Sequence, residues 1–546
     1  MTVNIDRRRL VVGGALGLSA LLLSIGRTVT HEVQAAKGFT HGVASGEPGA
    51  DSMLLWTRYV PSANVSEVRL DAEVALDPDF TRVVSGGSVR TGEYRDWTAK
   101  LSVGGLRPHT THWYRFVAPD ADKSPVGRTR TLPVGDIDRF RLAVFSCANL
   151  PLGWFNAYAH AAARDDLDLW LHVGDYIYEY ALAAYPKKDL VAARDVMPAH
   201  DRQTVSLADY RLRLACYRAD PDLQRLHQRA PMIALWDDHD SANDSWEGGA
   251  QNHRPKSDGD WNIRRAASIQ ANREWLPVSE EPWKKYSIGT LATLYRTESR
   301  LFARTRPVYS ELSKAHKASD PDLALRTFHD VWRDPAATML GSTQESWLAE
   351  EFKRNAAASC WQMVGMATIV GRTLMPEAAP NWVRPEAGER VLERFKKEVR
   401  ASRLGVPMWM DRWDGYPAAR SRLLKSAQRA DADLVMISGD SHNAWAYSLV
   451  EGGQPAGIEF AAHSVTSPGI EAELGMTPGD VARAFVTTNP ELVWADTSQR
   501  GYMMVDVTPQ RVTGEWLFMK TIRARSTDLT GTHSMSVERG RRKFAV

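Results

Sequence analysis

The sequence predicts a two-part α/β protein: a large domain of layered sheets with flanking helices, preceded by a small all-β sandwich of the immunoglobulin or fibronectin type. Three observations predict it. The chain has 546 residues, too many for one compact domain. Short β-type runs separated by turns dominate up to about residue 130, and continuous apolar runs alternating with helical stretches follow. A content of 43% hydrophobic and 25% charged residues is typical of globular proteins.

Residues 1–35 are predicted to be a twin-arginine-type signal peptide that takes no part in the fold. Arginines at positions 7–9 precede an apolar stretch at 10–25, and Val33 and Ala35 place small residues before a cleavage point. A buried helix or a membrane anchor is the alternative, but this apolar stretch is shorter than the roughly 20 residues that a span needs. We therefore expect a periplasmic or secreted protein without a stable membrane anchor after cleavage.

Residues 36–132 form the predicted β-sandwich domain. The runs at 52–58, 68–74 and 111–116 are rich in aromatic and β-branched side chains and are separated by turns with glycine and proline. This segment contains no cluster of catalytic residue types, so we expect it to pack against or cover the second domain. Residues 131–136 are typical of a linker.

Residues 133–546 form the predicted α/β domain, in which four apolar runs end in ligand-type polar residues. The runs at 141–146, 167–173, 231–236 and 434–437 have the continuous apolar character of strands buried between layers. The polar residues that follow them are Cys147, Asp175, Tyr178, Asp237 to Asp240, Asp440 and His442. Because α/β sheets build sites beyond the carboxyl ends of their strands, we expect these side chains to lie together.

The segments between these runs are predicted to be helical. Residues 207–226 and 260–275 carry apolar side chains at helical spacing. We expect them to cover the sheet or frame a cleft.

The polar residues at the four strand ends predict a metal centre. Each has an alternative when taken singly: Asp175 or Asp440 could cap a helix, and His442 could be a buried core histidine. Converging carboxylates would repel one another and raise their pKa values unless a cation neutralises them. The recurrence of this design at four strand ends therefore favours bound metal ions.

These motifs resemble the sequence blocks of the calcineurin-like metallophosphatase superfamily, whose usual forms are Asp-x-His, Gly-Asp-x-x-Asp, Gly-Asn-His-Asp/Glu and Gly-His-x-His. The chain departs from them at Cys147, Tyr178, Asp238 and Asp440, the replacements that mark PhoD-type alkaline phosphatases. Further blocks follow in the expected order, at 209–213, 340–348, 413–417, 459–469 and 500–502. The resemblance covers nearly everything after the signal and implies a metallophosphatase-type fold.

A thiolate, a phenolate, a carboxylate and an imidazole together suit a highly charged, redox-capable ion better than calcium or magnesium. The resemblance implies that this ion is Fe(3+). Its expected ligands are Cys147, Asp175, Tyr178 and His442. The alternative for Cys147 is a small buried hydrophobic residue, which is the role that we expect for Cys216 and Cys360.

An all-oxygen group beside this set suits Ca(2+), which the resemblance also implies. Its expected ligands are Asp175, Asp238, Asn243 and Asp440, with Asp175 bridging the two ions.

The resemblance also implies roles in catalysis. His239 matches the superfamily position that assists the leaving group, so we assign it as the general acid; orienting a ligand is its alternative role. Arg264 and Arg265 lie in an Arg-Arg-Ala-Ala stretch and are candidates for binding phosphate, unless they only cover a helix surface. Asn149 occupies the place of a superfamily ligand and is expected to bind a metal or to support a ligand.

The predicted function is alkaline phosphatase activity, the hydrolysis of phosphate esters to inorganic phosphate by a metal-activated hydroxide. A phosphodiesterase or phospholipase D-like enzyme is the alternative, because the same metals serve both reactions. A non-catalytic extracellular binding protein is disfavoured because the ligand residues are all present. The net charge of +2 gives no reason to expect a nucleic-acid partner, so the expected partner is a small phosphate mono- or diester.

Overall fold

The structure is a computed structural model that describes residues 36–182, 184–185, 190–191, 201–407 and 409–545. The predicted signal peptide, residues 1–35, lies outside the described residues. No described helix combines the length and the hydropathy that crossing a bilayer requires.

The N-terminal part is a sandwich of two sheets, as predicted. Its strands are β1 (Val43–Gly46), β2 (Met53–Arg58), β3 (Glu67–Ala75), β4 (Val83–Gly92), β5 (Thr98–Val103), β6 (Thr111–Val117) and β7 (Gly127–Arg130). One sheet has the order β4-β3-β6-β7, and β1, β2 and β5 form the opposite layer. Buried side chains from both layers, including Leu55, Leu70 and Phe116, make their common core.

The remaining strands build two large sheets. They are β8 (Phe140–Phe145), β9 (Leu169–His172), β10 (Met232–Ala234), β11 (Lys284–Ile288), β12 (Ala292–Arg296), β13 (Trp361–Gly365), β14 (Leu434–Ser438), β15 (Ala444–Glu451), β16 (Gln454–Ala461), β17 (Leu492–Asp496), β18 (Gly501–Val507), β19 (Arg511–Met519) and β20 (Leu529–Glu538). The first sheet has nine strands in the order β20-β19-β18-β8-β9-β10-β1-β2-β5, and the second has seven in the order β11-β12-β13-β14-β16-β15-β17.

The described helices flank these sheets. They are α1 (Asn156–Ala162), α2 (Leu207–Arg218), α3 (Pro221–Arg229), α4 (Pro255–Asp258), α5 (Trp261–Trp275), α6 (Tyr309–His316), α7 (Pro321–Trp332), α8 (Gly341–Asn355), α9 (Glu389–Arg403), α10 (Pro417–Arg429) and α11 (Pro478–Thr488). The predicted helix at 260–275 is confirmed as α5. The one at 207–226 is split into α2 and α3, because the Asp220 side chain caps a new helix that has Pro221 in its first turn.

Four layers result from this arrangement. The two large sheets pack face to face through a buried apolar core that includes Leu171, Ile233, Met363 and Ile437. Helices α1, α2, α3 and α5 cover the outer face of the nine-stranded sheet, and α8 to α11 cover that of the seven-stranded sheet. Strands β8, β9 and β10 run parallel, as do β12, β13, β14 and β16, so their carboxyl ends gather along shared edges.

The N-terminal sandwich shares a sheet with the larger domain, which the sequence did not predict. Strand β1 pairs in parallel with β10 through Gly46 and Met232, so β1, β2 and β5 continue the nine-stranded sheet. Buried polar contacts reinforce the junction: Glu47 forms an ion pair with Arg296 and accepts a 2.9 Å hydrogen bond from Tyr286 Oη. The sandwich is therefore built onto the larger domain and is not a separate unit on a linker.

Candidate metal centre

The predicted ligands lie in loops at the carboxyl ends of β8, β9, β10 and β14. Four of them have left-handed backbone conformations, with φ of 57° at Cys147, 56° at Asp175, 66° at Asp440 and 64° at His442. Residues with a Cβ atom rarely adopt the left-handed region of backbone conformation. The resulting backbone strain persists only where the surrounding structure enforces it. The left-handed conformation occurs at four candidate ligands, which indicates that these loops are shaped to hold the ligand side chains in fixed directions.

Two glycines let the loops approach one another closely. Gly174 has φ of 116°, and a Cβ atom there would lie 2.3 Å from Cβ of Asp237. A Cβ atom on Gly439 would lie 2.2 Å from Oγ of Ser146. The Gly-Asp pairs at 174–175 and 439–440 therefore require glycine for contact between neighbouring loops.

The four residues predicted for iron are brought together. Ligand atoms of Cys147, Asp175 and His442 lie within 4.8 Å of one another. Tyr178 Oη donates to Asp175 Oδ2 at 2.9 Å, lies 3.1 Å from His442 Nε2, and accepts a 2.7 Å hydrogen bond from Ser467 Oγ. One cation could therefore contact all four side chains.

The imidazole of His442 is in the neutral form that can bind a metal ion. Its Nδ1 lies 2.6 Å from the carbonyl oxygen of Pro468. Because a carbonyl can only accept, Nδ1 carries the proton and Nε2 keeps its lone pair toward the cluster. Burial lowers the pKa of His442 to about 3, so the ring is neutral at physiological pH.

A second group of ligand atoms adjoins the first. Asp237, Asp238 and Asp440 approach within 4.8 Å of one another, and Asp175 forms a similar group with Asp238 and His239. Asp175 thus lies between the two groups, where a bridging ligand was predicted. Asp238 Oδ1 and Asp237 Oδ2 are buried and have no hydrogen-bond partner within the described part of the chain, and Arg300 Nη2 lies 3.8 Å from Asp238 Oδ1. Buried carboxylate oxygens without hydrogen bonds are costly unless a cation binds them.

The electrostatics of the site fit bound cations. Six clustered carboxylates face only three guanidinium groups at ion-pair distance. Burial raises the pKa of Asp175 well above its usual value, and the charges of Asp237 and Asp238 raise it further against the opposing effect of His239. Burial and the Asp175 charge likewise raise the pKa values of Cys147 and Tyr178. Positive ions would reverse this penalty and allow the anionic ligand forms.

Asp240 organises the loop that carries Asp175, a role that the sequence did not reveal. Its carboxylate accepts backbone N–H groups of Asp175 at 2.9 Å, Tyr176 at 3.1 Å and Asp237 at 2.9 Å. The last acid of the Asp-Asp-His-Asp motif therefore ties the loop after β9 to the loop after β10.

A further carboxylate group was also missed in the sequence. Asp238, Asp244 and Asp411 lie within 4.8 Å of one another. Two buried arginines already neutralise part of it, because Asp411 lies 2.6 Å from Arg300 Nη1 and 2.7 Å from Arg304 Nη2. Two arginines likewise face the group of Asp237, Asp238 and Asp440, because Arg300 pairs with Asp237 and Arg412 pairs with Asp440. The apolar run before Asp411, residues 406–410, contains a proline and forms no strand among the described residues, and no strand was predicted there from the sequence.

His239, the predicted general acid, is held by a buried carboxylate. Its Nδ1 lies 2.8 Å from Oε2 of Glu179, whose other oxygen accepts the Asn243 backbone N–H at 2.8 Å and Asn252 Nδ2 at 2.6 Å. The imidazole stacks on Tyr178 with ring centroids 4.3 Å apart. Burial by itself lowers the pKa of His239, but Asp238 and the neighbouring carboxylates outweigh it and raise that pKa well above the usual value.

Two asparagines were predicted at or beside the metals. The Asn243 side chain donates to Gln251 Oε1 at 3.1 Å, and its neighbour Asp244 belongs to the carboxylate group described above. Asn149 is buried two residues beyond Cys147, and its Nδ2 has no hydrogen-bond partner among the described residues. Metal binding by Asn243 and a supporting role for Asn149 both stay predictions.

The structure does not bring the two predicted phosphate-binding arginines to the site. Arg264 is buried and donates to Tyr210 Oη at 3.1 Å, and Arg265 donates to the carbonyl oxygens of Glu247 at 2.8 Å and Leu301 at 3.2 Å. Protein oxygens therefore occupy the guanidinium groups of both arginines. Neither residue belongs to the described lining of the cleft that opens from the candidate metal centre. Phosphate binding by Arg264 or Arg265 stays a prediction, and these contacts do not support it.

Arg412 lines the cleft beside Asp440. Its Nε lies 3.4 Å from Asp440 Oδ2, and its guanidinium group lies 3.6 Å from the centroid of the Trp409 ring. Nη1 is buried and has no hydrogen-bond partner within the described residues. Arg412 can therefore offer an N–H group to an anion at the metal centre.

The cleft has a volume of about 540 Å³. Its inner end is formed by Asp244, Asp411, Asp440 and His442, and its outer part runs between α6 and α9. A substrate whose phosphoryl group lies at the metal centre would place the rest of the molecule in this cleft.

Comparisons with known proteins identify the family of this chain. The PhoD-like phosphatase family profile matches residues 142–516, and the profile of its N-terminal domain matches residues 26–133. Alkaline phosphatase D of Bacillus subtilis (strain 168) is 28% identical over 545 aligned positions, which cover 94% of this chain and 84% of that protein.

Solved structures show the same architecture. A structure of PhoD superposes with a TM-score of 0.75 at 25% identity and covers 93% of this chain and 92% of its own. A purple acid phosphatase from yellow lupin seeds, at 11% identity and a TM-score of 0.53, shares the fold over 90% of this chain and 73% of its own. Because the family profile covers more than half of the sequence, the chain belongs to the PhoD-like phosphatase family and is a phosphoric ester hydrolase.

Proposed function

We propose that this protein is an exported, metal-dependent alkaline phosphatase that releases inorganic phosphate from phosphate monoesters. One observation carries the proposal: ligand-type side chains from four strand ends converge on one buried cluster with too few cations of its own. Export is supported by the arginines and the apolar stretch within residues 1–35.

The donor set supports Fe(3+) and Ca(2+) as the metals. Cys147, Tyr178 and His442 would hold the ferric ion, because a thiolate and a phenolate favour a highly charged ion. Asp238 and Asp440 would hold calcium with Asn243, and Asp175 would serve both ions.

The protein's own residues would bind and protonate the substrate. Bound metal ions would supply an activated water as nucleophile and neutralise charge on the phosphoryl oxygens. Arg412 donates an N–H group to a phosphoryl oxygen from the wall of the cleft. His239, held through Nδ1 by Glu179, would donate its Nε2 proton to the leaving-group oxygen as the ester bond breaks.

A phosphodiesterase is the second candidate, because the cleft of about 540 Å³ leaves room for a second ester substituent. Rates on p-nitrophenyl phosphate and bis-p-nitrophenyl phosphate separate the two activities. We expect the monoester to react faster. A diester rate well above the monoester rate would favour the phosphodiesterase.

Metal dependence is tested by elemental analysis of the purified protein and by the Asp175→Asn variant. We expect iron and calcium in the native protein, and turnover lowered by orders of magnitude in the variant because Asp175 adjoins both ligand groups. Asp79→Asn, at an exposed position of the N-terminal sandwich, is the matched control and should leave activity unchanged. Zinc as the sole metal, or near-normal turnover of Asp175→Asn, would contradict the proposal.

A further inference from the structure

We propose that the outer part of the cleft is a subsite for leaving groups that carry a negative charge of their own. This inference rests on the proposed phosphatase function and adds a substrate class to it. The enzyme would then prefer phosphate esters that have a second anionic group, a carboxylate or a phosphate, on the side opposite the scissile bond.

The position of the outer part follows from the position of the metal centre. The phosphoryl group must lie near Asp440 and His442, at the inner end, so the leaving group extends toward α6 and α9. There the walls include the apolar side chains of Leu312, Phe395 and Ile470. These side chains can cover the body of an organic leaving group, whereas inorganic phosphate alone would fill only a small part of the cleft.

The charges of the outer part favour an anion. Lys317, directly after α6, and Lys397, on α9, line the cleft on its two sides, and neither forms an ion pair with a described residue. The third cation there, Arg394, is already neutralised by an ion pair with Glu473 and lies 3.5 Å from Glu398. Lys317 and Lys397 therefore keep their charges available for a ligand.

His316 adds an uncharged hydrogen-bonding group to the outer part of the cleft. His316, between the two lysines, has a buried Nδ1 without a partner among the described residues. Burial and the charge of Lys397 lower the pKa of His316, so the ring is uncharged and can hydrogen-bond to a ligand. Two unpaired ammonium groups at a partly exposed site would improve kcat/KM for an anionic leaving group by about 5- to 10-fold at low ionic strength.

The experiment compares pairs of substrates that differ only in charge. 4-Carboxyphenyl phosphate is paired with the nearly isosteric 4-carbamoylphenyl phosphate, and the biphenyl analogues form a longer pair. Hydroquinone bisphosphate replaces the carboxylate by a phosphate. The measured quantity is the ratio of kcat/KM values within a pair, in the metal-loaded full-length protein at low and at high salt.

We expect the native enzyme to prefer the charged member of at least one pair by about 5- to 10-fold, and salt to reduce the preference. The preference should disappear in Lys317→Gln/Lys397→Gln and reverse in Lys317→Glu/Lys397→Glu. The matched control is Lys314→Gln/Lys396→Gln, which removes one charge from α6 and one from α9 outside the cleft lining and should keep the preference. Parallel changes in the control would overturn the inference.

The two proposals fail in different ways. If the native enzyme hydrolyses the charged and uncharged esters equally well, the anionic subsite is refuted and the phosphatase function stands. If it hydrolyses none of the esters with metals bound, the phosphatase function itself is refuted.

Discussion

Replacing Glu179 by glutamine should reveal how His239 acts. The buried Glu179 carboxylate accepts from three donors: the Asn243 backbone N–H, Asn252 Nδ2 and His239 Nδ1. In Glu179→Gln the amide oxygen must face the two donors that cannot change, Asn243 and Asn252. The amide NH2 then faces His239 Nδ1, which can only be an unprotonated acceptor there. The variant therefore disfavours the imidazolium form that donates a proton to the leaving group.

The size of the effect follows from the hydrogen bond that is lost. A hydrogen bond to a charged partner contributes about 1.5–3 kcal/mol. At about 1.4 kcal/mol per factor of ten, its loss should reduce kcat by about 10- to 100-fold for esters of alkyl alcohols such as glycerol, which need a proton at the leaving oxygen. p-Nitrophenyl phosphate, whose leaving group is stable as an anion, should lose no more than about 3-fold.

The assay is steady-state kinetics on both esters for Glu179→Gln, His239→Asn and the double variant, with metal content and thermal unfolding measured in parallel. If Glu179 acts through His239, the double variant should be no slower than His239→Asn. An equal loss on both substrates, or additive losses in the double variant, would refute this role. It would show instead that Glu179 only supports the loops around it.

Three further predictions address colour, phosphate binding and pH dependence. Phenolate bound to ferric iron should give the protein a visible absorption band, and Tyr178→Phe should shift or abolish it; an active, colourless protein would refute the iron assignment. Arg412→Met should raise KM and the inhibition constant of inorganic phosphate by about 10- to 100-fold, while Arg265→Met should change neither; the reverse result would restore the prediction from sequence. Burial raises the pKa of Asp414 from 3.8 to about 7 in the folded protein, so the native state holds this proton more tightly than the unfolded state. The contribution of Asp414 to the free energy of unfolding therefore falls as pH rises from about 4 to about 7, by at most about 4 kcal/mol. Denaturant unfolding should show that Asp414→Asn gains stability relative to the native protein over that pH interval. A difference in stability that does not change with pH would contradict this prediction.

Much of the site was predictable because its ligands obey a simple rule of α/β folds. Continuous apolar runs indicated buried strands, and the polar residues after them proved to lie at the shared carboxyl edges. Cys147, Asp175, Tyr178 and His442 meet there as the sequence predicted. The break after α2 was also readable, because an aspartate followed by proline is a common helix start.

Other parts of the site carried a weak local signal or none. Asp411 and Arg412 follow a short apolar run that contains Pro407 and forms no strand among the described residues, and their positions depend on how the chain returns to the cleft after α9. The role of the Arg-Arg pair at 264–265 could not be decided from the sequence, because a sequence does not show which side of a helix faces protein oxygens. Glu179 lies next to a predicted ligand in the sequence, but its role depends on hydrogen bonds to three residues far along the chain.

The shared sheet has a consequence for how this protein can be cut. Strand β10 leads directly into the loop of Asp238 and is flanked on one side by β1. Deleting residues 36–132 would leave β10 as an unpaired edge and would bare the apolar surface beneath it. Such a fragment would be prone to aggregate, and the strand that sets the Asp238 loop would lose its neighbour. The N-terminal domain is therefore part of the scaffold of the active centre and is not a removable appendage.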